Sequence, residues 1–148
     1  MSAFPTRTQI VVMLALSTPA SLAAETLIRR ALFTPDMQLL RALLRPHLTP
    51  VAWALLAVTT TAALAGVAVQ RQVHRWMFGR LGERASLPAA RHQAELGTMY
   101  LAASVVQLPT LASTVTYTLG AELAPVAAAL GVAAVGVAAM GAFGARDE

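Results

Sequence analysis

Four side chains on one stretch carry the chain's most suggestive chemistry: Gln107, Thr110, Thr114 and Tyr117, spaced 3, 4 and 3 residues apart. That spacing puts an amide, two hydroxyls and a phenol on one face of a helix. Pro109 lies among them, where it removes a backbone donor and frees a carbonyl as a further ligand. Such a stripe can line a path for a solute, ion or ligand. It can equally bond to neighbouring helices and hold a bundle together, because a polar group in hydrocarbon is costly until it finds a partner.

The remaining chemistry is sparser. His74 and His92 flank a basic loop, and Glu95 follows His92 by three residues, so the three make a weak candidate set for a divalent cation. No His-x-x-x-His or Glu-x-x-His pair supports them, and the surrounding arginines oppose a cation. We therefore expect no metal, and no haem either, since every histidine falls at a helix end or in a loop. Arg71, Arg75, Arg80 and Arg84 form the densest basic run, suited to lipid headgroups or an acidic partner. There is no Gly-x-Ser-x-Gly and no phosphate-cradling glycine loop. Glu25, Glu95 and Glu122 fall at the edges of apolar segments, so no acid stands inside one as an intramembrane base. With no cysteine in the chain, thiol catalysis, disulfides and thiolate metal sites are excluded. The expectation is a protein that is not an enzyme and carries no cofactor.

The elements that must position these residues read as membrane helices. Over 148 residues, 57% are apolar and 12% charged, against about 25% charged in soluble domains; the mean hydropathy is +0.62. The apolar residues come in blocks with no polar face, more than a water-soluble core of this size could bury. All eleven basic residues are arginine. Spread over several loops with no nucleic-acid motif, they point to topology and leave nucleic acid aside as a partner.

Residues 1–148 thus read as one all-α domain, an integral membrane helical bundle. It has four transmembrane helices, about 10–28, 51–69, 96–119 and 123–145, and a short interfacial amphipathic helix, about 35–45. The first segment also has the shape of a secretory signal, with a basic start, an apolar centre and small residues after Pro19. Thr34-Pro35-Asp36 is a helix start, and Pro46 is expected to end the interfacial helix. Thr49-Pro50 starts the second span, and Gly79 and Gly82 break its extension. The third span, Leu96 to Leu119, is twenty-four residues without a charge, and Gly120 stops it. Only Ala121-Glu122 separates it from the fourth, which forces an antiparallel hairpin.

The fourth helix is built almost wholly of small residues. Gly131, Gly136 and Gly141, with Ala134 and Ala138, make smooth surfaces for helix packing within the subunit or between copies. Four spans place seven arginines on the side of both termini and four on the other, which predicts cytoplasmic termini in a bacterial inner membrane. If the first segment does not span, the tally is five against six and decides nothing. The expected partners are the lipid bilayer and either further copies of the chain or other membrane subunits. Two functions fit. The first is a non-catalytic structural or accessory subunit of a membrane complex, packing through its fourth helix. The alternative is an oligomeric small channel or carrier, with the stripe of the third helix lining the transport path.

Overall fold

The computed structural model describes residues 7–81 and 88–143. Among them the chain forms four helices and no strand: α1 (Arg7–Leu32), α2 (Pro35–Leu81), α3 (Pro88–Leu119) and α4 (Leu123–Phe143). Three stretches are long and apolar enough to cross a membrane, Thr8–Leu32, Pro35–Arg80 and Leu123–Phe143. Gly82 and Arg84, and residues 144–145 of the expected fourth span, lie outside the described residues.

α1 runs unbroken through Pro19. A proline at 19 cannot bond the carbonyl of Ala15; the Thr18 hydroxyl donates to that carbonyl instead, at 2.9 Å. Ser17 and Ser21 bond back to Leu14 and Thr18 at 2.7 Å each. Local hydroxyls thus satisfy the backbone around the proline, as hydrocarbon surroundings require.

The expected break at Pro46 does not occur. α2 continues through both Pro46 and Pro50 for 47 residues, so residues 35–45 and 51–69 belong to one helix. It also passes Gly79, where a Cβ would meet nothing. The helix is nevertheless not straight. Arg41 and Met77 of α2 are 36 residues apart, about 54 Å along a straight helix. Arg41 lies against Gly120 and Met77 against Gly97, only 23 residues apart on the other side, about 35 Å. Both contacts are met only if α2 bends over the end of the bundle, and its two prolines, one turn apart, are the place for the kink. A proline disfavours a helical residue before it without forbidding one. Here half-buried Leu48 and buried Ala52 pack on Tyr117, Ala121, Val126 and Leu130, while Arg41 is held further along, so the chain is pinned on both sides of the kink.

α3 is longer than its apolar stretch and begins at Pro88. Its buried stripe, Thr98, Ala102, Val106, Thr110, Ser113 and Tyr117, mixes hydroxyls with apolar side chains. Leu101, Val105, Leu108, Leu111, Val115 and Leu119 face outward.

The helices alternate in direction. α3 and α4 meet along the middle, α2 packs on both, and α1 rests on α4 and α3 without packing on α2. A Schellman turn links α3 to α4: Gly120 N–H donates to the Tyr117 carbonyl at 3.1 Å and Ala121 N–H to Thr116 at 2.9 Å. Gly120 has φ +129°, a backbone region that side chains oppose.

Candidate functional site

Tyr117 is where three helices meet. The Arg29 guanidinium, on the last turn of α1, donates to the Tyr117 hydroxyl and stands 4.4 Å from the ring centroid. Arg41 of α2 donates to the Tyr117 carbonyl at 2.9 Å. Arg29 Nε lies 4.0 Å from Oε1 of Glu25, one turn earlier. Glu25 is buried, and neither of its carboxylate oxygens accepts a hydrogen bond. The Arg41 backbone presses on Gly120, where a Cβ would come within 2.5 Å of the Arg41 carbonyl oxygen.

Beside this node opens a cleft of about 530 Å³, lined by Arg29, Arg30, Phe33, Gln38, Arg41 and Arg45, with Ala42. Four guanidinium groups face one space, two of them braced by Tyr117. The sequence carries no signal for their convergence, because the contact between Arg41 and Tyr117 spans 76 residues.

The polar stripe of α3 is engaged within the subunit. Gln107 Nε2 donates to the Leu14 carbonyl of α1 at 3.2 Å. Thr110 donates to the Gln107 carbonyl at 2.6 Å, and Thr114 to the Thr110 carbonyl at 3.0 Å. With Tyr117 bonded to Arg29, each group of the stripe has a partner inside this chain.

At the opposite end, His74, His92 and Glu95 line one small cavity of about 30 Å³ with Gln70, Thr98 and Met99, room for about two waters. The Gln70 Oε1 is buried there with no hydrogen-bond partner, a group sequence reading passed over. The His74 ring stacks on Phe78 at 4.2 Å between centroids. Although the three share a cavity, no set of three His, Asp or Glu side chains among the described residues is placed to hold a metal ion.

Among the described residues of the basic run, Arg71 and Arg80 make separate contacts. Arg71 donates to the Phe143 carbonyl at 3.3 Å, a cation at the negative end of α4. Arg80 lies 3.8 Å from the Trp76 ring centroid, and Arg75 is exposed.

The small residues of α4 divide between two faces. Gly136 packs inward, where a Cβ would sit 2.8 Å from the Ala63 Cβ of α2. A Cβ on Gly141 would come within 2.5 Å of Val11 Cγ2 of α1. Gly131 and Ala138 are exposed and Ala134 half-buried, and a Cβ on Gly131 would meet nothing within 4 Å. Gly131 opens on an apolar groove of about 560 Å³ between α2 and α4, bordered by Thr60, Leu64, Ala128, Val135 and Ala139.

No family model, curated protein or solved structure matches this chain.

Proposed function

We propose that the chain is a non-catalytic structural or accessory subunit of a membrane complex, which receives a membrane helix of a second copy or another subunit on the outer face of α4. The observation that carries this reading is Gly131, open in a groove of small and apolar side chains. Helices in lipid associate by van der Waals contact, and a face without bulky side chains lets two backbones approach closely. Ala128, Gly131, Val135 and Ala138 follow one another at spacings of 3, 4 and 3 along this exposed side. The stripe of α3 supports the same reading, because its polar groups are spent on bonds to α1 and to their own helix.

In this reading α3 is a fourth span, its outward leucines and valines facing lipid and its polar stripe facing in. The bent start of α2 lies at the interface, with Leu39, Leu40 and Leu43 outward. The start of α1, the end of α2, the start of α3 and the end of α4 share one end of the bundle. The arginine excess at that end supports a cytoplasmic orientation for it in a bacterial inner membrane.

Cross-linking and native mass spectrometry of the protein extracted gently from its own membrane test the reading. Gly131→Leu fills the groove and is expected to remove the co-purifying copies or subunits while the chain stays folded. Gly136→Leu, which acts inside the chain, should instead unfold it. If the complex survives Gly131→Leu unchanged, the outer face of α4 is not the docking face.

A further inference from the structure

We infer that the arginine cleft between the end of α1 and the start of α2 is a binding site for a phosphate-bearing anion, the headgroup phosphate of an anionic phospholipid. The inference rests on membrane residence and is independent of the docking face of α4. The cleft is built, because two of its four guanidinium groups are held before any ligand arrives. Arg29 is fixed by the Tyr117 hydroxyl and Arg41 by the Tyr117 carbonyl. Each carries five N–H donors and spends few of them on these bonds, so donors remain to face the cleft. Arg30 and Arg45 line the same space, are exposed, and have no ion pair or hydrogen bond among the described residues. Gln38 adds a neutral donor. Glu25, 4.0 Å from Arg29 Nε, offsets part of one of these charges from outside the cleft, and Asp36 does not line it. Four like charges around about 530 Å³ repel one another, and a phosphate relieves that repulsion while accepting bidentate bonds from planar guanidinium groups.

The surroundings favour a lipid over a free anion. Leu32 of α1 is 70% exposed, and Leu39 and Leu43 of α2 are 68% and 64% exposed. With Leu27 and Ile28, they present bare apolar surface on the two segments that carry the arginines. A phospholipid matches this arrangement, its phosphate among the guanidinium groups and its acyl chains along the leucines.

The test is native mass spectrometry of the purified full-length chain in neutral detergent. It is titrated with phosphatidylglycerol, with phosphatidylcholine, and with phosphatidylglycerol in the presence of inorganic phosphate. Phosphatidylglycerol should be retained over phosphatidylcholine. The Arg30→Gln/Arg45→Gln double variant, which leaves the bonds to Tyr117 intact, should bind it about thirtyfold more weakly, as expected for two arginines at an anionic surface. Arg71→Gln/Arg75→Gln, at the opposite end, should bind it as the wild type does. Displacement of the lipid by equimolar inorganic phosphate would keep the phosphate site and make its source a soluble anion. Equal retention of both lipids, wild-type affinity in the double variant, or an equal loss in the opposite-end variant would overturn the inference. Circular dichroism of each variant separates loss of binding from loss of fold, and the single variants Arg30→Gln and Arg45→Gln keep the test open if the double one does not fold.

Discussion

Replacing Gly120 with alanine tests the bend of α2 and the Tyr117 node together. The perturbation is one methyl group with two separate costs. The first is conformational: φ +129° is a region open to glycine and strained for any L side chain, at about 1–3 kcal/mol. The second is steric, because the new Cβ would sit 2.5 Å from the Arg41 carbonyl oxygen and 3.0 Å from its Cα. Those are backbone atoms that no rotamer change can move, and overpacking of this kind costs about 1–3 kcal/mol. Together they amount to roughly 2–6 kcal/mol. At about 3 °C per kcal/mol for a chain of this size, the melting temperature in detergent, followed by circular dichroism, should fall by roughly 6–18 °C. Gly131→Ala is the matched control. Its Cβ meets nothing within 4 Å, and alanine within a helix is favoured over glycine by up to about 1 kcal/mol, so this variant should melt at or slightly above the wild type. If Gly120→Ala melts with the wild type, α2 does not lie on the α3–α4 turn, and the arginine cleft loses one of its walls.

Two further substitutions probe the bonds that cross between helices. Tyr117→Phe removes the oxygen that Arg29 bonds and leaves the carbonyl used by Arg41; chemical denaturation should show a loss of about 1.5–3 kcal/mol, the range for hydrogen bonds to charged groups, and no loss would mean Arg29 is not held by the hydroxyl. Gln107→Leu removes the bond to the Leu14 carbonyl, and inter-helix hydrogen bonds in membranes average about 0.6 kcal/mol with a maximum near 1.7. The same denaturation assay should therefore show a small shift and an intact complex; loss of an ion or solute flux with stability unchanged would return the stripe to the path reading.

Much of the helical framework was legible in particular residues. Thr34-Pro35-Asp36 starts α2 at Pro35, and Gly120 closes α3 in a Schellman turn. Thr59, Thr60 and Thr61 bond back to Leu55, Leu56 and Ala57 as their position in a helix suggests. These features depend on neighbours within five residues, which is the range over which backbone geometry is set by the residues themselves. The apolar blocks set the class of surroundings for the same reason, since hydropathy adds along the chain whatever the packing.

Which face of each helix packs inward was decided by the tertiary structure. In α4 nearly every side chain is small and apolar, so no polar face distinguishes Gly136, pressed on Ala63, from Gly131, which opens on the groove. Pro46 reads as a stop from its local sterics, yet Ala52 on one side and Arg41 on the other carry the helix across it. Arg29, Arg41 and Tyr117 sit on separate helices, 76 and 88 residues apart along the chain for the two bonds they make. Periodicity reports what repeats along one helix; convergence between helices is set by how their surfaces fit, and that is a property of the folded bundle alone.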